Sequence, residues 1–302
     1  MAVKFKNNSP LEALSINETL GDLPTHYMKS GSSMRPKAQL EELGKFGDRL
    51  IGSDKTFRGS PFEYDLWYNT NELHTIRTWL WTDFLGKGIF VRVNSIKINN
   101  KVMKDIASSD IKIDEERIEK IINNLGNKYS LETNTEFYDK VIFPPGSNLL
   151  QKQVMNWHKV GKLIKEGYVI KPHPITAHLW IAKMRLDYGK DKILNKKEGG
   201  FELLMECKEM AMCPNSEMGL IALLLGKKVS TVAVPVKTRE KNHLTYEAIY
   251  QAVAGQSQGS GVALRKILSS KRSGIIFNFD PDPEDRLQRY LDNFWEYKIT
   301  ND

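Results

Sequence analysis

Through the second half of the chain, short apolar runs alternate with apolar residues repeated at helical spacing, the pattern of strands crossing a buried sheet and helices covering it. Tyr168-Val169-Ile170 reads as a buried parallel strand, ended by Lys171-Pro172-His173-Pro174. The two prolines remove backbone donors and fix φ, so the strand stops there and the residues around them are held in place. Upstream, Phe143-Pro144-Pro145-Gly146-Ser147 ends another apolar strand. From Asn148 onward Leu150, Val154, Trp157, Val160 and Ile164 recur at helical spacing and predict one long helix. A short strand at Lys192-Ile193-Leu194 and a helix over 201–208 come next. Asn215 and Ser216 are then N-cap residue types ahead of the apolar run Leu220, Ile221, Leu223, Leu224 and Leu225, which Gly226 stops. A strand over 229–234 follows, and Ile275-Ile276-Phe277 reads as the last one. Asp282 caps a final helix with Pro283 in its first turn and Leu287, Leu291, Phe294 and Trp295 as its apolar stripe.

This pattern predicts a first domain over 1–140, a second over 141–279, and a C-terminal helical segment, 280–302, packing back on the first. The first domain has fewer regular signals. Residues 25–36 form a polar, glycine-containing loop with His26 and Arg35. Tyr64, Trp67, Tyr68, Trp79 and Trp81 concentrate aromatic side chains near Arg77 and Lys87, either as core or as a platform for a sugar or an extruded base. A second glycine-rich stretch, 255–261, lacks the GK[ST] ending of a phosphate-binding Walker loop.

Composition fits two medium cores: the chain has 302 residues, 40% of them apolar. The net charge of +7 favours an anionic partner. Cys207 and Cys213 lack zinc-site spacing and predict buried thiols in a reducing compartment. The longest apolar run, near Ile221, is too short to span a bilayer, and residues 1–8 lack the apolar core of a signal peptide, so the expectation is a cytoplasmic protein without a transmembrane segment.

The chemistry concentrates at two places. Open α/β sheets bind ligands beyond the carboxyl ends of their strands, where Lys171 and His173 stand. A helix N-terminus such as that at Ser216 offers unpaired N–H groups and partial positive charge to a phosphate. The succession of strand, KPHP turn, helices and NSEMGLIALLLGKK resembles, over about residues 141–235, the donor half of the GT-B glycosyltransferases of the capsular-polysaccharide type. That family carries a KPHP turn and a later NSxxGxEALLxGKxV helix. The resemblance implies an α/β, GT-B-like fold of two Rossmann-like domains facing a central cleft. It also implies that His173 and Ser216 hold the phosphates of a UDP- or CMP-sugar, with Lys171, Asn215 and Glu217 beside them and Ser147 as a further donor contact. Ile221 stands where the family has a glutamate that grips the ribose. No metal or other cofactor is required by this scheme, because a helix terminus, Lys171 and His173 supply charge stabilisation. The Asp280 and Asp282 pair mimics a metal-binding DxD but is read as a helix start.

Sugar transfer needs a base for the acceptor hydroxyl. Asp65, Asp83 and His26 are the candidates, and Arg35, Trp67 and Trp79 are candidate acceptor contacts. In outline the chain is similar to the enzymes with which T-even-type phages add sugars, arabinose included, to 5-hydroxymethylcytosine in DNA. The expected acceptor is therefore double-stranded DNA, in the host cytoplasm for a phage-encoded chain. A capsular polysaccharide or lipopolysaccharide is the second expectation, and a non-catalytic nucleic-acid-binding protein the third.

Overall fold

The computed structural model describes residues 5–7, 63–68, 76–85, 88–93, 96–129, 137–145, 151, 154–174, 176–196, 198–213, 216–234 and 245–301. The chain divides into two compact units, residues 1–125 with 265–302, and residues 126–264.

The first unit begins with strands β1 (Phe5–Asn7), β2 (Glu63–Tyr68), β3 (Ile76–Phe84) and β4 (Gly88–Val93), each antiparallel to the next. This corrects the expectation of a Rossmann-like first domain. Three residues separate β3 from β4 and seven separate β2 from β3, whereas a parallel crossover needs a dozen or more. Helices α1 (Ile96–Ser108) and α2 (Glu115–Tyr129) follow. Val102, Met103, Ile106 and Ala107 on α1 and Ile118, Ile121 and Leu125 on α2 are buried at helical spacing. The Asp114 carboxylate accepts the Arg117 N–H at 3.0 Å at the start of α2, and Glu115 and Glu116 suit its positive end.

The second unit is built from β5 (Lys140–Phe143), α3 (Trp157–Lys165), β6 (Val169–Ile170), α4 (His178–Tyr188), a 3₁₀ turn (Lys190–Lys192), α5 (Gly200–Glu206), β7 (Glu209–Met212), α6 (Glu217–Leu224), β8 (Lys228–Thr231) and α7 (Thr245–Val253). Its four strands are all parallel, in the order β6-β5-β7-β8. Ile193 adds a parallel bridge to Ile170 on the outer side of β6, where the sequence predicted a short strand. Strand order therefore reverses between β5 and β7. Ile142, Val160, Leu163, Ile170, Ile181, Met184 and Ala211 form the core on this sheet.

The single helix expected from Asn148 is interrupted at Asn156. Met155 bridges Ala233, the Asn156 N–H donates to the Val232 carbonyl, and the Asn156 side chain accepts the Lys159 N–H to start α3. Local capping and a strand-like contact override the apolar periodicity. Helix α6 ends as its sequence requires. Gly226 has φ 72°, its N–H donates to Leu223 and that of Lys227 to Ala222, the paired bonds of a Schellman cap. Gly219 faces β7 with the Met212 side chain packed into the space that a β-carbon would take.

Helix α8 (Ser260–Ser269) leads back to the first unit, where β9 (Ile275–Phe277) and α9 (Pro283–Asn301) complete it. The sequence reading grouped β9 with residues 141–279; here it pairs antiparallel with β4, giving the sheet order β1-β2-β3-β4-β9. Helix α9 packs on β9 and starts at Pro283. Beneath it Asp280 is buried between Arg117 and Arg286, forming an ion pair with each, and its carboxylate also accepts the Phe277 N–H at 2.7 Å. Asp280 therefore belongs to a structural ion-pair network.

Candidate functional site

Because β5, β6, β7 and β8 are parallel, their carboxyl ends share one edge of the sheet. Two segments of this edge flank the end of β5. On one side β6 runs into Lys171-Pro172-His173-Pro174; on the other β7 leads through Cys213 to Ser216 and α6. Strand-order reversal at β5 and β7 opens a crevice in sheets of this class.

Ser216 is the N-cap of α6, with extended backbone at φ −97° and ψ 129°. Its hydroxyl makes no capping hydrogen bond, while its N–H donates to the Cys213 carbonyl at 2.9 Å. The backbone turn is thus fixed without the side chain, and the Gly219 N–H closes the first turn of α6 on the Ser216 carbonyl at 3.2 Å. His173 is half-buried, and its carbonyl accepts the Thr176 N–H at 2.9 Å, closing the turn on itself. Glu217 is buried in the first turn of α6, and Ile221 is fully buried one turn further on, within the core.

Lys171 takes a different position from the one expected of a phosphate contact. Only 3% of it is exposed, and its Nζ donates to the carbonyls of Pro172 and Lys196 at 2.9 and 3.2 Å. Lys196 answers by donating to the Thr176 carbonyl at 3.3 Å. The two lysines therefore fasten the turn after β6 to the loop after Ile193. Burial lowers the Lys171 pKa from 10.5 to about 8, against the opposing charges of Glu198 and Glu202. Between these values the unfolded chain holds more protons than the folded one, so this group makes stability rise with pH there; below about pH 8 its full burial cost is present. The stability of the wild type relative to Lys171→Met is expected to increase from pH 8 towards 10.5 in urea titrations. A constant difference across that range would rule out the charged, buried ammonium.

Gln151 and Thr176 join this edge without having been singled out by the sequence. Nothing in apolar periodicity marks them. The one available hint was a glutamine on an otherwise apolar helix face, beside Leu150 and Val154.

In the first unit, Asp65 stands opposite Trp79 and Trp67 opposite Arg77, so these four positions share one face of the sheet. Arg92, opposite Trp79, belongs to the same face. Asp83 is the residue over which the β3–β4 register shifts, between Thr82 and Phe84. His26, Arg35, Ser147 and Asn215 lie outside the described residues. Among the described residues no three or more His, Cys, Asp or Glu side chains gather as a metal site, and no helix is long and apolar enough to cross a membrane. Cys207 and Cys213 are both buried thiols. The chain is thus a mixed α/β protein with a four-stranded parallel sheet, and neither a family model nor a curated protein matches it.

Proposed function

We propose that this protein is a glycosyltransferase whose second unit, resembling a GT-B donor half, binds a UDP- or CMP-sugar and whose acceptor is 5-hydroxymethylcytosine in duplex DNA. One observation carries the donor half of this reading: the His173 turn and the Ser216 helix start flank the end of β5, where strand order reverses. The positive N-terminal end of α6 and the Ser216 hydroxyl receive the diphosphate or phosphate, and the His173 imidazole neutralises charge as the leaving group departs. Lys171 acts on the turn rather than on the ligand, because its ammonium is already bonded to two carbonyls. The acceptor hydroxyl loses its proton to a base, for which Asp65, Asp83 and His26 are the candidates. The nearness of Trp67 and Trp79 to Arg77 in the sequence supports a nucleic-acid acceptor, since aromatic and cationic groups together suit bases and phosphates.

The test is product mass after incubation with nucleotide sugars and with DNA containing cytosine or 5-hydroxymethylcytosine. A gain of one sugar, confined to hydroxymethylated DNA and weakened by salt at the binding step, is the expected result. A polysaccharide acceptor is the second reading. Leu179 and Leu186, seven residues apart on α4 and each 87% exposed, favour it, because a lipid-linked acceptor brings an apolar surface to such a ridge. Nucleotide release with oligosaccharides and with neither DNA would select it. DNA binding without donor turnover would make the protein a binding module.

A further inference from the structure

One amide ties together the carboxyl edge of the second unit. Gln151 is fully buried. Its Nε2 donates to the Pro145 carbonyl at 2.8 Å and to Thr176 Oγ1 at 3.4 Å, while its Oε1 accepts from the Trp180 indole at 2.5 Å. Its backbone carbonyl accepts from the Trp157 indole at 3.2 Å, and the two indoles meet edge to face at 5.8 Å. These partners lie on separate segments: Pro145 two residues past β5, Thr176 two residues past the KPHP turn, and Trp180 in the first turn of α4. A planar group with two N–H donors and one carbonyl acceptor satisfies all three, and glutamine supplies that set. Methionine, of similar length, supplies none of it.

Thr176 transmits the position of this amide to His173. Its hydroxyl meets Gln151, its N–H donates to the His173 carbonyl, and its own carbonyl accepts from Lys196. The turn is therefore clamped from the β5 side by Gln151 and from the other side by Lys196 and Lys171.

We infer that Gln151 is the positioning residue of the site: it fixes the separation between the end of β5 and the His173 turn, and so where the imidazole stands relative to an anionic ligand. The ligand named here rests on the nucleotide-sugar reading; the clamp does not. Misplacing a binding group by about 1 Å costs on the order of a hundredfold in a preorganised site, so loss of the clamp is felt in affinity well before the fold is lost.

The experiment uses the full chain, with UDP and CMP as probes. Gln151→Met is compared with Ser216→Ala, which lies away from the clamp, and with Gln151→Glu, whose buried carboxyl regains a donor on protonation. In Gln151→Met, amide hydrogen exchange over residues 171–176 is expected to quicken about tenfold or more while β7 keeps its protection. Affinity for the nucleotide that the wild type binds is expected to fall by about tenfold or more. Ser216→Ala weakens binding and leaves exchange in the turn unchanged. Gln151→Glu approaches wild-type exchange as the pH is lowered. Unchanged exchange at 171–176 in both Gln151 variants overturns the inference, as does faster exchange with unchanged affinity. A wild-type chain that binds neither nucleotide removes the donor reading, whereas the exchange comparison still decides whether Gln151 holds the turn. Should Gln151→Met fail to fold, the pH series on Gln151→Glu carries the test.

Discussion

Asp280→Ala is expected to destabilise the first unit by about 3–5 kcal/mol, the usual consequence of deleting one partner from a buried ion pair. Arg117 and Arg286 both approach this carboxylate, and all three residues are buried. The Arg117 guanidinium also donates to the carbonyls of Leu268 and Ile275 and lies 5.1 Å from the centre of the Phe277 ring. The Arg286 guanidinium donates to the Ser270 carbonyl at 3.3 Å. Removing the anion leaves two cations facing each other in a dry environment and deprives the Phe277 N–H of its acceptor. Asp285→Ala provides the contrast. Asp285 pairs with Lys271 and Arg289, but those contacts face solvent, and their loss is expected to cost far less than that of the buried carboxylate. Denaturant unfolding followed by hydrogen exchange at β9 separates the two variants; equal midpoints would show that the buried network contributes nothing.

On the proposed donor-site reading, His173→Ala is expected to reduce sugar transfer by about a hundredfold or more while shifting the melting temperature little. Its side chain is half-buried at the rim, and the hydrogen bond that closes the turn uses its backbone carbonyl, which alanine retains. Lys171→Met is expected to behave in the opposite way, because that ammonium bonds backbone carbonyls beneath the turn. It should loosen the turn and change stability first, with transfer falling as a result. Measuring turnover and melting on the two variants in parallel tests this division of labour. A Lys171→Met chain that melts like the wild type and has lost turnover would return the ammonium to the ligand.

Much of the second unit was legible because its signals are local. Two prolines end β6, Ser216 begins α6 and Gly226 stops it, each through backbone chemistry that a neighbouring residue cannot override. Strand direction in the first unit was not legible from apolar content alone. The clue lay in alternation: Ile76, Thr78, Leu80 and Thr82 interleave with Arg77, Trp79 and Trp81, as in an antiparallel strand with two unlike faces. The placement of Lys171 was also hidden, since a lysine at a strand end looks the same whether it faces a ligand or two carbonyls. Gln151 was hidden more deeply, because its partners come from residues 6 and 25–29 positions away and meet it only in the folded unit. The break at Asn156 depends likewise on Val232 and Ala233.

The pairing of β9 with β4 has a consequence for biosynthesis. Residues 126–264 leave the ribosome between the fourth strand of the antiparallel sheet and its fifth, so the parallel unit has all its own residues while the other sheet still lacks a strand. During that interval β4 carries an open edge that invites pairing with another nascent chain. Ribosome stalling or truncation before residue 275 should therefore yield aggregates seeded by the incomplete first unit, and a synthetic peptide spanning the last strand and helix should suppress them.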